Sequence, residues 1–330
     1  MRKIVLLQSS KTTAQIFTKE QLLYLEKFGE VIINQDEEGV QATTVKNLLK
    51  DADIAVTSWG CPMLDQNILE SAPKLKAVLH AAGTVKGIVS PELWERGIRV
   101  SSAADALGKG VAETALGLMI MSLKNVWKLT KNTREGEWNK DKDKIKEVFG
   151  ITVGVVGAGR AGRHFIRLLQ AFDVNIVVFD PTVSEDEAKT IGVTKLELED
   201  LLTQSDVVSI HAPSIPETEN MFNKRRLQLI KDDAILINTA RGSIIDEAAL
   251  ISELEKGRLL VCLDVTNPEP PAVDHPFRSL PNVVLTPHIA GAVNNGLQRL
   301  GQYVVEDIER FLAGNKMAGE VEYAELNQLA

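Results

Sequence analysis

Cysteine is scarce in this sequence: the 330 residues include only Cys61 and Cys262. Each of them lies in or beside an apolar run that is typical of a β-strand. Cysteines in such positions are more typical of small core residues than of a disulfide, and their spacing matches no pattern of metal ligands. We therefore expect neither a disulfide nor a bound metal.

Long apolar runs are missing as well. No segment has the roughly 18 successive apolar residues that a membrane-spanning helix requires. The N-terminus passes directly into the strand-like run Lys3-Ile4-Val5-Leu6-Leu7, without the apolar region of a secretory signal. We therefore expect a cytoplasmic protein without a membrane partner.

The sequence also lacks a basic patch. It has 37 Lys and Arg against 45 Asp and Glu, so that the formal net charge is −8, and the basic residues form no block. A negative surface repels nucleic acid, so we expect no nucleic-acid partner. The apolar share of 44% and the charged share of 25% are ordinary for a soluble globular protein, and the length predicts two domains.

The most informative feature that is present is a glycine-rich turn in mid-sequence, Gly157-Ala158-Gly159-Arg160-Ala161-Gly162. The run 151–156 before it predicts a buried strand, and residues 164–172 carry apolar residues at helical spacing. In such a unit the first glycine makes the tight turn and the second lets the backbone approach a pyrophosphate. The third lets the helix pack closely on the strand, and the phosphate lies at the helix N-terminus. The motif predicts a dinucleotide site.

Asp180 strengthens this prediction. It ends the next predicted strand, 175–179, at the spacing of roughly 20 residues at which a carboxylate binds the adenosine ribose. A carboxylate there also repels a 2′-phosphate, which favours NAD over NADP. The alternative is an Asp that caps a helix before Pro181 and Thr182.

Strand-like and helical segments alternate along the chain, which predicts parallel sheets covered by helices on both faces. A long helix is expected from Val111 to about Lys131, and a final helix from Val293 to Leu312. The first domain is predicted to be discontinuous (residues 1–104 and 303–330), with a second domain over 105–302. The strand-like runs are Ile4–Leu7, Val31–Ile33, Ile54–Val56, Ala77–Leu79, Ile98–Val100, Val153–Val156, Ile176–Phe179, Val207–His211, Ala234–Asn238, Leu259–Asp264 and Val283–Thr286.

Charged side chains follow three of the later strands. In open parallel sheets, ligands bind beyond the carboxyl ends of the strands. Arg241, Glu269 and His288 follow neighbouring strands there, and together they suit hydride transfer between a nicotinamide and a ketone. His288 is the candidate acid, Glu269 would hold its imidazole in one tautomer, and Arg241 would bind a substrate carboxylate and polarise the carbonyl.

Each of these three residues also has a plainer interpretation. Arg241 can form a loop salt bridge, Glu269 can be a solvated turn residue, and His288 can be a satisfied buried histidine. Their joint position after strands of one dinucleotide fold favours catalysis. His211 is interpreted as a residue that shapes the backbone beside the cofactor. No partner can be identified for His80, His164 and His275.

Taken in order, the segments resemble those of the D-isomer-specific 2-hydroxyacid dehydrogenase family, over nearly the whole chain. The resemblance implies two doubly wound parallel-sheet α/β domains, a Rossmann NAD-binding domain inserted into a flavodoxin-like substrate-binding domain. The matching segments are Gly157–Gly162 with Asp180, His211-Ala212-Pro213, Thr239-Ala240-Arg241-Gly242, Asp264 with Glu269-Pro270, Thr286-Pro287-His288, and Val111-Ala112-Glu113 at the start of that family's interdomain helix.

The resemblance also implies roles for residues. Arg241, Glu269 and His288 would be catalytic, and Asp264 would contact the nicotinamide carboxamide. The substrate carboxylate would bind to backbone N–H groups of Gly83-Thr84-Val85 and to Arg241. Family members are commonly homodimers with a cleft that closes on cofactor and substrate. The other residues assigned to the cofactor are Gly157, Gly159, Arg160, Ala161, Gly162, Asp180, His211, Ala212, Pro213, Thr218, Thr239, Ala240, His288 and Ala290.

The expected activity is hydride transfer between NAD(H) and a small D-2-hydroxy or 2-keto acid, such as glyoxylate, hydroxypyruvate or a phosphoglycerate-like acid. The alternative is an NAD-sensing, corepressor-like binding protein on the same fold. Formate oxidation is disfavoured, because relatives with that activity carry glutamine where Glu269 stands. The absence of a regulatory domain after residue 330 makes feedback-controlled phosphoglycerate oxidation a weaker expectation.

Two departures from the family pattern concern the choice of substrate. The loop His80–Lys86 lacks the usual aspartate after its glycines, and Leu107–Gly110 lacks the polar residues often found before Val-Ala-Glu. Trp59, which follows a predicted strand, either lines the substrate pocket or belongs to the core.

Overall fold

The computed structural model describes residues 1–328 and divides them into two compact units. Unit 1 combines Met1–Leu107 with the segment that begins at Ala292, and unit 2 is Gly108–Gly291. The boundaries expected from the sequence were 104/105 and 302/303. Both differ from those of the structure, the first by three residues and the later one by eleven. The later one differs because residues 297–312 form a single helix, whose apolar side chains join Ile4 and Leu6 in the core of unit 1.

The elements alternate along most of the chain, as the sequence predicts. The strands are β1 (Lys3–Leu6), β2 (Glu30–Ile33), β3 (Ile54–Thr57), β4 (Ala77–His80), β5 (Arg99–Ser102), β6 (Phe149–Val156), β7 (Asp173–Phe179), β8 (Thr194–Lys195), β9 (Val207–Ile210), β10 (Ala234–Asn238), β11 (Leu259–Leu263) and β12 (Val283–Leu285). The helices are α1 (Ser10–Ile16), α2 (Lys19–Leu25), α3 (Ala42–Leu49), α4 (Gln66–Leu69), α5 (Glu92–Glu95), α6 (Ala104–Leu123), α7 (Val126–Arg134), α8 (Arg160–Leu169), α9 (Glu185–Thr190), α10 (Leu198–Gln204), α11 (Lys224–Leu229), α12 (Glu247–Glu255) and α13 (Leu297–Leu312).

Unit 1 is built on a five-stranded parallel sheet in the order β2-β1-β3-β4-β5. The first strand lies inside the sheet between the second and the third, which is the flavodoxin-like order. Side chains of β1 alternate between two buried clusters, with Val5 on one face of the sheet and Ile4 and Leu6 on the other. Both faces of this sheet are therefore covered, as in a doubly wound fold.

Unit 2 is built on a seven-stranded parallel sheet in the order β12-β11-β10-β9-β6-β7-β8. The strand order reverses at β6, which carries the glycine-rich turn at its carboxyl end, as in dinucleotide-binding sheets. The fold class predicted from the sequence is confirmed. The edge strand β8 was not predicted, because two residues are too few to show an apolar pattern.

The prediction of one helix over 111–131 was wrong at both ends. Helix α6 begins seven residues earlier, at Ala104, and a separate helix α7 follows Asn125, whose positive φ of 50° interrupts the run. Gly108 and Gly110 lie inside α6. A Cβ on them would lie 3.1 Å from the Ala161 nitrogen and from the Gly291 oxygen respectively, so these glycines permit close packing within unit 2.

Helix α6 is also long and apolar enough to span a membrane by length and composition. It has no run of 18 successive apolar residues, because Asp105, Lys109 and Glu113 interrupt it, and it meets the criterion only by its average hydropathy. Half of the apolar stretch is buried inside the protein, and core helices of soluble proteins satisfy the same criterion. The helix alone is weak support for a membrane span.

Candidate active site

The glycine-rich turn connects β6 to α8 in the conformation that its sequence predicts. Gly157 has a φ of 95°, and a Cβ there would lie 2.6 Å from the backbone nitrogen of Ala212. A Cβ on Gly162 would collide with the Gly157 carbonyl oxygen, so the helix packs directly on the turn. At Gly159 no atom lies within 4 Å of the Cβ position, so the surface is open there. The turn therefore fits a bound pyrophosphate at the N-terminus of α8.

Asp180 holds this turn from the end of β7. Its Oδ2 accepts a hydrogen bond from the Ala158 N–H at 2.7 Å, and its Oδ1 accepts from the N–H and the hydroxyl of Thr182 at 2.8 and 2.7 Å. The following helix is capped by Ser184, so the alternative of a helix-capping Asp180 was wrong. The carboxylate is fixed beside the glycine turn, where a ribose-binding group is needed.

Arg241 follows β10 in a turn that Asn238 shapes. The buried Asn238 amide accepts from the Ala240 N–H at 3.0 Å and donates to the Arg241 carbonyl at 2.9 Å. Burial lowers the pKa of the Arg241 guanidinium, and the charge of Glu269 opposes that shift. Within residues 1–328 Arg241 forms no ion pair within 4.0 Å, so the loop salt bridge proposed as an alternative is not found.

The loop that carries Glu269 lies directly against this turn. A Cβ on Gly242 would collide with the backbone of Thr266, and only a glycine allows that approach. His288 follows β12, and its Nδ1 lies 2.6 Å from Glu269 Oε1. The two side chains are 48% and 40% exposed, so His288 is not the buried histidine of the plainer interpretation. The fold brings Arg241, Glu269 and His288 to one edge of one sheet.

Asp264 shapes the loop that presents His288. Its buried carboxylate accepts from the Thr286 hydroxyl at 2.5 Å and from the N–H groups of Ile289 and Ala290 at 2.9 and 2.7 Å. The Asp264 carbonyl accepts from the N–H of His288, whose φ is 52°. This contact network was not predicted from the sequence, which assigned Asp264 only to the nicotinamide. The cofactor contact stays a prediction.

The other residues assigned to the cofactor follow β9 and β10 at the same edge. His211 is buried, its Nε2 lies 2.9 Å from the Ser209 hydroxyl, and burial lowers its pKa to about 4. The Thr218 hydroxyl donates to the Pro213 carbonyl at 2.6 Å, and the buried Thr239 hydroxyl has no partner within the described chain. His211 is therefore a neutral residue below the glycine turn.

The loop assigned to the substrate carboxylate belongs to unit 1. It follows β4, and the Ser102 hydroxyl braces it by donating to the Gly83 carbonyl at 2.5 Å. Across residues 1–328, the backbone N–H groups of Gly83, Thr84 and Val85 donate to no protein acceptor. Such N–H groups suit an anion. Trp59 is 48% exposed, so the interpretation of this side chain as a core residue was wrong.

One pair of side chains near the site, Glu247 and His275, was not predicted from the sequence. Glu247, at the start of α12, accepts from the Asn267 N–H at 2.8 Å and lies 3.4 Å from Nε2 of His275. Nothing in the sequence connects these positions, because they meet only through the packing of α12 on the loop after β11.

Comparison with known proteins identifies the family. The family model for the D-isomer specific 2-hydroxyacid dehydrogenase NAD-binding domain matches residues 116–290, more than half of the chain. The chain belongs to this family. The resemblance seen in the sequence is confirmed, and unit 2 contains the NAD-binding domain.

Curated relatives of this D-2-hydroxyacid dehydrogenase family member are named as enzymes. A D-3-phosphoglycerate dehydrogenase of Methanocaldococcus jannaschii is 34% identical over 292 residues, which are 88% of this chain and 55% of the relative. A glyoxylate reductase of Korarchaeum cryptofilum is 33% identical over 295 residues, 88% of this chain and 89% of the relative. The chain thus spans about half the length of the phosphoglycerate dehydrogenase. These names give no support to the alternative of a corepressor-like protein.

A solved structure agrees with the fold. A phosphoglycerate oxidoreductase from Rhizobium etli superposes with a TM-score of 0.84 over 98% of this chain and 99% of the other. At 24% sequence identity, this likeness concerns the fold.

Proposed function

We propose that this protein is an NAD-dependent dehydrogenase that interconverts small 2-keto acids and their D-2-hydroxy acids. The observation that carries the proposal is the His288–Glu269 contact of 2.6 Å at the carboxyl edge that also presents Arg241. An imidazole, a carboxylate and a guanidinium are what the reduction of a keto acid requires. The names of the relatives favour glyoxylate, hydroxypyruvate or a phosphoglycerate-like acid.

His288 holds the proton that the substrate oxygen receives. A carboxylate only accepts hydrogen bonds, so the Nδ1 that faces Glu269 carries a proton, and Nε2 is the position that exchanges its proton with the substrate. Glu269 stabilises the charged imidazolium form of His288. The side chain returns to neutral imidazole when its Nε2 proton passes to the substrate oxygen. Bound NADH supplies the hydride for the keto carbon.

Arg241 and the loop after β4 are assigned to the substrate. The Arg241 guanidinium binds the substrate carboxylate through two parallel hydrogen bonds and polarises the neighbouring carbonyl. In unit 1, the unpartnered N–H groups of Gly83, Thr84 and Val85 suit an anion. Asp180, held beside the glycine turn, favours NAD over NADP because it repels a 2′-phosphate.

The test is steady-state reduction of a panel of 2-keto acids with NADH and with NADPH. We expect NADH oxidation with at least one of glyoxylate, pyruvate and hydroxypyruvate, and a preference for NADH of at least about tenfold. Binding of NADH without oxidation by any acid would contradict the proposed activity. Equal turnover with NADPH would contradict only the role of Asp180.

We also infer that the protein forms a homodimer in the cytoplasm. Three aromatic side chains of unit 2 are exposed, Trp127 at 40%, Trp138 at 69% and Phe149 at 71%. Large exposed aromatic side chains are enriched at protein interfaces. Light scattering is expected to give the mass of a dimer, and Trp138→Ser with Phe149→Ser to shift it towards the monomer. A monomeric native protein would contradict this inference.

A further inference from the structure

Glu247 lies between the two loops that carry the proposed catalytic charges. Along the chain, the Arg241 turn leads through Gly242 and a short 3-10 helix into α12, of which Glu247 is the first residue. In space, Gly242 contacts the backbone of Thr266 and Asn267, and Asn267 lies two residues before Glu269 in the chain. A single side chain at position 247 is therefore connected to both loops.

The Glu247 carboxylate holds the Glu269 loop by its backbone. Oε1 of Glu247 accepts from the Asn267 N–H at 2.8 Å. The next contact on the loop is internal, from the Thr266 hydroxyl to the Pro268 carbonyl at 2.9 Å. Since Pro268 and Pro270 flank Glu269 and have no N–H, the Asn267 N–H is the last backbone donor before Glu269.

His275 faces the other oxygen of the same carboxylate. Its Nε2 lies 3.4 Å from Glu247 Oε2, and its Nδ1 accepts from the Phe277 N–H at 3.3 Å. That acceptor role leaves the imidazole proton on Nε2, where it faces Glu247. Both side chains are mostly buried, with 16% exposure for Glu247 and 18% for His275.

Helix capping does not account for Glu247. The N-cap of α12 is Asp246, whose carboxylate accepts from the Ala249 N–H at 3.0 Å. Burial raises the pKa of Glu247, while the hydrogen bond from the Asn267 N–H and the charge of His275 act in the opposite direction. The carboxylate therefore lies where burial disfavours its charged form. A first-turn acid on an exposed helix would gain the same dipole interaction without that cost.

We propose that Glu247, oriented by His275, is a positioning residue that fixes the Glu269 loop relative to the Arg241 turn and so keeps Glu269 on Nδ1 of His288. This inference rests on the proposed function. It assigns no chemical step to Glu247, because its contacts are with the backbone of Asn267 and with His275.

The experiment compares Glu247→Ala, Glu247→Gln and Glu269→Gln, and combines Glu247→Ala with Glu269→Gln. The matched control is Asp246→Ala, which removes the adjacent cap of α12 and leaves the Asn267 contact. Each variant is characterised by kcat, KM, the Kd of NADH and the Tm. The low-field proton NMR signal of the His288–Glu269 hydrogen bond, recorded without cofactor, reports the pair directly.

We expect Glu247→Ala to lower kcat about tenfold, with the Kd of NADH within about twofold. Glu247→Gln should restore kcat to within about threefold of the native value, because its amide oxygen still accepts from Asn267 while its NH₂ group faces the Nε2–H of His275 and loses that contact. Asp246→Ala lowers the Tm and leaves kcat within about twofold. In the Glu269→Gln background, Glu247→Ala has no further effect, and in the Glu269-containing protein it shifts or broadens the low-field signal.

The outcomes separate the two claims. Unimpaired turnover in Glu269→Gln would overturn the proposed function. Impaired turnover in Glu269→Gln, together with an independent multiplicative loss from Glu247→Ala, would overturn the positioning role alone. If Glu247→Ala does not fold, the variant His275→Asn tests the positioning role instead. Its asparagine can accept from the Phe277 N–H but lacks the Nε2 group that faces Glu247. It is expected to lower kcat about threefold, and only when Glu269 is present; an unchanged kcat would overturn the role of His275.

Discussion

The two parallel sheets of this protein end in chemically different carboxyl edges. In unit 1, the residues that directly follow β1, β3 and β4 are uncharged, among them Gln8, Ser58 and the loop Ala81–Val85. In unit 2, the corresponding edge carries Arg241 and the His288–Glu269 pair. The same architecture thus presents backbone and hydroxyl groups in one unit and charges in the other. The loops, and not the sheets, decide the chemistry.

The histidines of the two edges sharpen this comparison. His80 in unit 1 and His211 in unit 2 are buried against the hydroxyls of Thr57 and Ser209, and burial lowers the pKa of each to about 4. His288 is half-exposed and faces a carboxylate. A histidine held neutral by burial serves as a structural group, whereas one paired with a carboxylate in reach of solvent can exchange a proton.

The largest effect is expected from removing either His288 or Arg241. His288→Ala and Arg241→Ala should each lower kcat about 10²–10⁴-fold, because the proton donor or the carboxylate clamp is lost. The Kd of NADH, measured by fluorescence titration, should change by less than about threefold. His80→Asn is the matched control and should lower kcat less than about tenfold. Unchanged turnover in either of the first two variants would contradict the mechanism.

The buried histidines predict a loss of stability in acid. The unfolded chain binds a proton at a histidine near its ordinary pKa of about 6.5, while the folded protein resists protonation down to about 4. Each buried histidine therefore makes its full contribution to the free energy of unfolding above about pH 6.5. That contribution is lost as the pH falls to about 4, and the loss is up to about 3 kcal/mol for each histidine. Urea unfolding across this range should show a flatter pH dependence for His80→Asn than for the native protein. Equal slopes would contradict the burial argument.

Replacing Asp264 tests a buried carboxylate of the unit 2 edge that accepts three hydrogen bonds. In Asp264→Asn, one of the two carboxylate oxygens becomes an NH₂ group, which then faces an N–H or hydroxyl donor. We expect the free energy of unfolding to fall by about 2–3 kcal/mol in urea titrations. Asp246→Asn is the control, since asparagine serves equally well at an N-cap. Equal stability of the Asp264 variant and the native protein would contradict the hydrogen-bond network.

The smallest effect is expected at Gln8 in unit 1, a buried polar side chain that, unlike Asp264, lacks hydrogen-bond partners within residues 1–328. Its side chain is fully buried at the end of β1, and within the described residues neither its Oε1 nor its Nε2 has a hydrogen-bond partner. Gln8→Met should therefore raise the free energy of unfolding by about 1 kcal/mol. Asn34→Leu, which removes an amide bonded to Leu7 and Asp36, should lower it. A destabilised Gln8→Met protein would contradict this account.

Much of the fold was predictable because strands of parallel sheets are continuous apolar runs. The main strands were found in this way, and their alternation with helices predicted parallel sheets but not the order of the strands. The start of α6 was missed because Gly108 and Gly110 are poor helix formers, and only their close neighbours Ala161 and Gly291 explain them. The strand β8 has too few residues for a pattern.

The candidate site divides in the same way. Arg241, Glu269 and His288 were predictable because each lies in the loop after a strand, and the carboxyl ends of parallel strands meet at one edge. The Glu247–His275 pair and the bonds of Asp264 to the loop after β12 were not. They depend on the packing of a helix on a loop and on the path of a backbone, which leave no periodic trace in the sequence.

The sequence by itself therefore determined the class of protein, the family and the dinucleotide turn, because local spacing and residue type carry that information. Only the tertiary structure decided that His275 meets the Glu247 carboxylate and that His80 and His211 are buried as neutral groups. It also decided that Asp180 holds the glycine turn and that Glu247 connects two loops. These outcomes depend on distances between residues far apart in the chain, which the packing of the two sheets and their helices sets.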